Sequence, residues 1–312
     1  MMERAGTASS KRRLLLALLV LVTAIALYNA LFSYSYSFDP NYRNVSVDTK
    51  VNITNARPEI MAVQLPSSVT LNAGTTKLVY CNLTIRDWNG YDDIENVTAV
   101  FYHSTSTAGA ADNNNTHYTN NSCTNVSSTG NYANWTCGFF VLYHALNGTW
   151  TCNATVTDNS SATDNTPDNT TTIDALLALN ISTPSLYTID YGDLAVGDTS
   201  ENKTAIVKNI GNQNINISVK GYGAVDNDGL ALNCTVGNIS VDNERFSTDP
   251  AVDWLTKTAL TSDFQTIDGL TVEKQTDPGA PPQNTTYWQL YVPPNPYGQC
   301  NGTIVFQAAT AT

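Results

Sequence analysis

The chain's 312 residues are 42% hydrophobic, enough for a leader and about two domains with packed cores, which excludes wholesale disorder. Charged residues make up only 13%, about half the usual share, and 35 Asn, 42 Thr and 22 Ser fill the deficit, a composition suited to β-structure with polar loops. The net charge of −12 is unevenly spread: residues 1–13 carry +3, everything after residue 32 carries 11 basic against 26 acidic residues, and Asp87 to Asn202 contains no Lys or Arg. Nucleic acid, anionic lipid and phosphate ligands are poor candidates as partners of such a surface, since each needs basic contacts.

Residues 1–13 are a basic segment, with Arg4, Lys11, Arg12 and Arg13 against Glu3. Residues 14–32 follow as an apolar run in which only Thr23 and Asn29 are polar. As a helix rising 1.5 Å per residue it reaches roughly 28 Å, close to the thickness of a hydrocarbon core. The basic cluster before it holds the N-terminus in the cytoplasm and sends the remainder outside. Tyr28, Phe32, Tyr34, Tyr36 and Phe38 supply amphipathic rings for the membrane–water boundary. A single-pass signal anchor is the favoured reading, because the apolar run continues past the small-x-small site Ala24-Ile-Ala26; cleavage there, giving a secreted protein, is the alternative.

Residues 33–57 form a polar stalk, and a first β-domain is expected over residues 58–158. Its strands are predicted at Glu59–Leu65, Val69–Asn72, Thr76–Arg86, Ile94–His103, Asn134–His144 and Thr149–Thr157, with residues 104–132 as a long loop. Val79, Cys81, Leu83 and Ile85 share one face of a period-2 strand, and Trp150, Cys152, Ala154 and Val156 share another. Asn147-Gly148 is a hairpin signal that would pair Tyr143 with Cys152 and Val141 with Ala154. Between two of these strands, Asp87-Trp-Asn-Gly-Tyr-Asp-Asp93 is the one cation-like cluster. Asp87, Asn89, Asp92 and Asp93 around Gly90 offer oxygens for Ca²⁺, although Asn-Gly is also an ordinary turn. No other cofactor is expected.

Residues 159–178 read as a low-complexity linker, and residues 179–312 as a second β-domain. Strands are predicted there at Ser185–Asp190, Thr204–Asn209, Asn214–Lys220, Leu230–Val236, Asn238–Asp242, Leu270–Lys274, Thr286–Val292 and Gly302–Ala308, with a helical turn within Asp249–Phe264. The fold class is therefore all-β, two successive antiparallel sandwiches behind one apolar helix.

Six cysteines without CxxC spacing point to disulfides outside the cell rather than to zinc or redox chemistry. Cys81 and Cys152 sit mid-strand on inward faces, so their pairing is favoured among the three that Cys81, Cys123, Cys137 and Cys152 allow. Cys123–Cys137 and Cys234–Cys300 follow. Nineteen Asn-x-Ser/Thr sequons occur, at Asn44, Asn52, Asn82, Asn96, Asn114, Asn120, Asn125, Asn134, Asn147, Asn153, Asn159, Asn169, Asn180, Asn202, Asn216, Asn233, Asn238, Asn284 and Asn301. Composition alone would give about 7, and several lie on outward strand positions, as Asn82 and Asn153 do.

In the second domain, Tyr191-Gly-Asp-Leu-Ala-Val-Gly-Asp198, Ala205-Ile-Val-Lys-Asn-Ile-Gly-Asn212 and Ile215-Asn-Ile-Ser-Val219 resemble the opening of immunoglobulin-like repeats in archaeal and bacterial cell-surface proteins. Pro296-Tyr-Gly298 and Gly302-Thr-Ile-Val-Phe306 resemble their endings. The likeness implies a sandwich with structural or adhesive use, and the sequon density is similar to that of archaeal chains. A fainter likeness exists to β-sandwich subunits of biofilm fibres and pili, but Arg13 abuts Leu14 without the small residue that prepilin cleavage wants.

Catalytic motifs such as HExxH, GxSxG or a glycine-rich phosphate loop are absent from the sequence, and His103 and His144, which could be cross-strand neighbours at a metal, are expected instead to be solvent-facing or hydrogen-bonded imidazoles. The expected protein is non-enzymatic and envelope-bound, displaying glycosylated domains for adhesion, surface-layer association or binding of other surface proteins or glycans. A filament subunit and an exported hydrolase are the alternatives, and the oligomeric state is open.

Overall fold

The computed structural model describes residues 7–32, 46–165 and 169–311. Part of the basic segment, most of the stalk with Asn44, and residues 166–168 of the expected linker lie outside the described residues. Helix α1 (Thr7–Phe32) begins earlier than the apolar run and includes the basic cluster. Within it, residues 12–30 form a span long and apolar enough to cross a membrane, with mean hydropathy 2.0. The hydroxyl at mid-span, Thr23 Oγ1, donates to the carbonyls of Leu19 at 2.9 Å and Val20 at 3.0 Å, so it presents no unpaired donor to an apolar medium.

The first sandwich is built from β1 (Glu59–Gln64), β2 (Ser68–Val69), β3 (Thr76–Arg86), β4 (Ile94–His103), β5 (His117–Asn120), β6 (Thr124–Thr129), β7 (Tyr132–Leu142), β8 (Gly148–Asp158), β9 (Thr163–Asn165) and β10 (Asn169–Ile173). One sheet has the order β1-β3-β7-β6, and the facing sheet has β2-β10-β8-β4-β5 with β9 against β8. Alternation decides which side chains enter. Val79, Cys81, Leu83 and Ile85 from β3 meet Trp150, Cys152, Ala154 and Val156 from β8, all buried. Trp150 stacks on Phe101 with ring centroids 4.9 Å apart, and Phe101 on Phe139 at 5.4 Å.

Four expectations need correction here. β7 and β8 do not form a hairpin: Asn147-Gly148 carries the chain from one sheet to the other, so Tyr143, Val141, Cys152 and Ala154 are all buried but are not paired across a turn. The stretch expected as a linker supplies β9 and β10, with Thr171 and Ile173 pointing inward, so the first sandwich runs to residue 173. The loop expected over residues 104–132 contains β5 and β6. The strand expected at Val69–Asn72 is reduced to β2, which pairs in parallel with β10. Polar Thr/Asn-rich strands lack the apolar alternation that marks a strand in sequence, and their sheet neighbours supply what is missing.

The second sandwich comprises β11 (Leu179–Ser182), β12 (Lys203–Asn209), β13 (Ile215–Tyr222), β14 (Leu230–Val236), β15 (Asn238–Ser240), β16 (Glu244–Ser247), β17 (Thr258–Ala259), β18 (Gln265–Val272), β19 (Gln283–Leu290), β20 (Tyr297–Asn301) and β21 (Thr303–Thr310). Its sheets have the orders β11-β12-β19-β16-β17, β18-β13-β21 and β15-β14-β20. Trp288, Phe246, Ile217 and Val219 centre the core. The strand expected at Ser185–Asp190 is absent. That stretch turns, with Leu186 and Tyr187 at φ of 43° and 63°. The helical turn expected in Asp249–Phe264 is a 3-10 turn at Trp254–Thr256.

All three disulfides form as expected. Cys81–Cys152 joins the facing sheets, Cys123–Cys137 tethers the chain ahead of β6, and Cys234–Cys300 joins directly opposed residues of β14 and β20.

The two sandwiches are joined by backbone rather than by a tether. The amide of Asn212 donates to the carbonyl of Leu176, its side-chain oxygen accepts from the Leu176 amide at 2.7 Å, and its Nδ2 donates to the Asp174 carbonyl at 3.0 Å. Gly74 N–H reaches Ile210 O at 3.0 Å, and Tyr143 hydroxyl donates to Gln275 Oε1. A Cβ on Gly211 would lie 2.2 Å from the Leu176 carbonyl oxygen, so this crossing needs a residue without one. Gly211→Ala should therefore cost about 1–3 kcal/mol of stability, read as a lowered urea midpoint.

Candidate functional site

β8 ends on Asp158, and Asp87 immediately follows the last residue of β3, each keeping the inward parity of its strand. Asp87 follows Ile85 by two residues and Asp158 follows Val156 by two, and both carboxylates are fully buried. The 3-10 turn Tyr91–Asp93 brings Asp93 to the same end of the sandwich. One oxygen from each of Asp87, Asp93 and Asp158 lies within 4.8 Å of the others. Among the described residues this is the one group of three His, Cys, Asp or Glu side chains so placed.

The three acids differ in their surroundings. Asp158 Oδ2 accepts from Asn55 Nδ2 at 2.8 Å, and its Oδ1 accepts from the amides of Ser160 at 2.9 Å and Ala162 at 2.8 Å. Burial opposes its charge, but these three donors outweigh burial and hold the carboxyl below the usual range. Asp87 Oδ1 accepts from the Asn89 amide at 2.7 Å, whereas its Oδ2 has no hydrogen-bond partner. Burial raises this carboxyl above its ordinary value; the Asn89 amide pulls the other way, and the nearby charges of Asp93 and Asp158 add to the rise. An all-oxygen anionic set suits a hard cation.

Of the residues expected to bind a cation, the fold brings Asp87 and Asp93 together. Asn89 turns its side-chain oxygen to the Ala56 amide at 2.7 Å, and Asp92 is exposed. Asp158 was missed because it lies far along the chain, although its parity within Trp150-x-Cys152-x-Ala154-x-Val156-x-Asp158 was visible. Asp226-Asn-Asp-Gly229 is a turn: the Asp228 carboxylate accepts the amides of Gly223, Ala224, Val225 and Leu230, which hold it below the usual range. His103 bonds Thr105 Oγ1 at 2.8 Å, and His144 lies in the turn after β7 rather than in a strand.

A second feature has no sequence signature. A cleft of about 1360 Å³ opens in the second sandwich between the Tyr187–Leu194 segment, Leu290 and the Pro296–Phe306 arm. Beside it Glu244, 3% exposed, accepts the Tyr191 hydroxyl at 2.5 Å. Burial pushes the Glu244 carboxyl up to about 7, against the pull of the Tyr191 hydrogen bond.

No family model matches this chain, and no curated protein matches it. Among solved structures, a DUF4785-family protein from Legionella pneumophila aligns at 10% identity and TM-score 0.22, over 81% of this chain and 47% of that one. The C-terminal domain of the antigen I/II-family protein AspA from Streptococcus pyogenes aligns at 8% identity and TM-score 0.24, over 82% of this chain and 96% of that one. This chain spans about half the length of the first. Overlaps this loose define no shared site.

A carboxyl raised from 4.5 to about 7 favours the fold while protonated. Its contribution is complete below about pH 4.5 and is lost as pH rises through about 7. Wild-type stability should fall by roughly 2–3 kcal/mol across that window from this group alone. Glu244→Gln should flatten the slope, as urea midpoints at pH 5 and pH 8 will show.

Proposed function

We propose that this chain is a membrane-anchored, N-glycosylated cell-envelope protein that displays two rigidly joined β-sandwiches outside the cell, without catalytic activity of its own. One observation carries the reading: all six cysteines are closed into three disulfides, none is free, and all lie beyond a helix whose apolar run follows Lys11, Arg12 and Arg13. The sequons support it. Of the 18 described sequon asparagines none is buried, whereas the buried asparagines, Asn115, Asn209 and Asn212, all lie outside sequons. Their glycans would fall on solvent-facing positions of both domains.

Display for adhesion, surface-layer association or binding of surface partners is the reading we prefer to fibre assembly, and the sequons on part of the sheet edges support it. Among the described strands, five of the ten at the ends of the sheet orders, β5, β6, β11, β15 and β20, carry Asn120, Asn125, Asn180, Asn238 and Asn301 respectively, whereas β1, β2, β17, β18 and β21 carry no sequon. Unpaired edges are the templates for strand addition, and a glycan on an edge obstructs it, so β6, β11, β15 and β20 would be closed, while β5, whose Asn120 donates to the Gly138 carbonyl and should be sparsely occupied, would not. An exported hydrolase has one supporting observation, the protonatable Glu244 beside the cleft, and a loss of any measured hydrolysis in Glu244→Gln would favour it.

The test is fractionation of native cells, alkylation without reductant and mass spectrometry of glycopeptides. The protein should stay with the membrane through carbonate extraction, take up no alkylating reagent, and carry glycans. Asn169 and Asn120, half-buried with their amide nitrogens donating to the carbonyls of Val63 at 2.6 Å and Gly138 at 2.9 Å, should be the least occupied. Alkylated cysteines together with bare asparagines would overturn the proposal.

A further inference from the structure

The acidic trio contains a contradiction that an ion resolves. Asp158 has three donors that favour its charged form, and Asp87 sits fully buried within 4.8 Å of it with Oδ2 unpartnered. Among the described residues no Lys, Arg or His forms an ion pair with Asp87, Asp93 or Asp158; the neighbouring guanidiniums of Arg57 and Arg86 go instead to Asp164 and Glu59. A buried carboxylate without a counter-charge is strongly unfavourable, and a buried acceptor without a donor adds its own desolvation cost.

We propose that Asp87, Asp93 and Asp158 bind a calcium ion that ties the two sheets of the first sandwich together at the end where the chain enters from the stalk. The spacing fits. Oxygens held at 2.3–2.6 Å from one ion lie no more than about 5 Å from each other, and the three carboxylates fall inside that limit. They supply three to six oxygens, with water completing the six to eight that calcium takes. The absence of His and Cys from the group argues for a hard cation over zinc. A divalent charge also makes ionised Asp87 compatible with ionised Asp158, which a structure of three unassisted acids is not.

The site is connected to the incoming chain. Asn55 donates to the ligand Asp158, and the Ala56 amide donates to Asn89, two residues after the ligand Asp87. Filling the site should therefore order residues 54–57 as well as the sheet ends. The proposal concerns this chain's own carboxylates and holds whether or not the export reading does.

The test uses the full chain in detergent. Terbium is the optical probe, since Trp88 and Tyr91 flank the ligands in sequence and sensitise its emission. Calcium should displace it, and Asp93→Asn, chosen because Asp93 is only half-buried and its loss spares the core, should weaken binding at least tenfold. Extracellular modules hold calcium at roughly 10⁻⁴–10⁻³ M, so about 10 mM calcium over EGTA should raise the wild-type unfolding midpoint by about 5 °C. In Asp93→Asn that rise should shrink to half or less. Asp87→Asn should abolish it while raising the midpoint in EGTA, because it removes a buried charge. Equal shifts in wild type and Asp93→Asn, no shift at all, or an equal response to magnesium would each overturn the assignment. A carboxyl–carboxylate pair sharing a proton would give the second of these, a stability set by pH and indifferent to calcium.

Discussion

Everything in the first sandwich is keyed to the bond between Cys81 and Cys152. It fixes which residue of β3 faces which residue of β8, and because strand side chains alternate, it fixes the parity of both strands along their whole length. Six residues beyond Cys81 is Asp87, and six beyond Cys152 is Asp158. At about 3.3 Å per residue the acids lie roughly 20 Å from the disulfide, still facing inward and still opposite each other. One covalent cross-tie at mid-sheet thus forces a pair of carboxylates to meet at the sheet end. A one-residue slip in either strand would turn one acid outward and expose the apolar face of that strand, so the geometry of the acidic end and the integrity of the core are the same constraint.

That constraint explains what could be read from the amino-acid order alone. Strands whose inward positions are Val, Leu, Ile, Cys and Trp declared themselves, and the facing of Cys81 and Cys152 was enough to choose their partnership. Parity says which face a residue occupies but not which strand lies beside it, so Asn147-Gly148 passed for a hairpin when it is a crossing between sheets. β9 and β10, in a run of Thr, Asn and Asp, have too few apolar residues to register as strands. β10 is held by β8 on one side and β2 on the other, and no local window sees those neighbours. The acidic site divides in the same way. Asp87 and Asp93 are close in sequence and were legible together; Asp158 joins them only through the fold, and Asn89 and Asp92 belong to the turn. Glu244 and Tyr191 left no trace because 53 residues separate them.

The junction between the sandwiches follows a different logic. Its contacts are mostly polar, made by Asn212, Tyr143, Gln275 and the backbone of residues 174–178, with Gly211 admitting a carbonyl where any side chain would clash. Polar contacts at a domain boundary are usually the sign of relative motion. Here several of them are hydrogen bonds to main-chain groups, at Asp174, Leu176 and Ile210, beside the side-chain pair Tyr143–Gln275, and directional bonds of this kind constrain orientation. A binding face spanning both sandwiches would accordingly be presented preformed, with little ordering left to do on association.

The stretch without Lys or Arg, from Asp87 to Asn202, covers most of the first sandwich and the whole crossing to the second. The basic residues that bound it, Arg86 and Lys203, lie at the end of β3 and the start of β12, inside sheets. Trypsin-like proteases cut extended, exposed chain after a basic residue, and across this stretch they have no bond to attack even when a loop opens. Selection for tolerance of such enzymes in the surroundings and selection for an acidic surface would leave the same mark on this region.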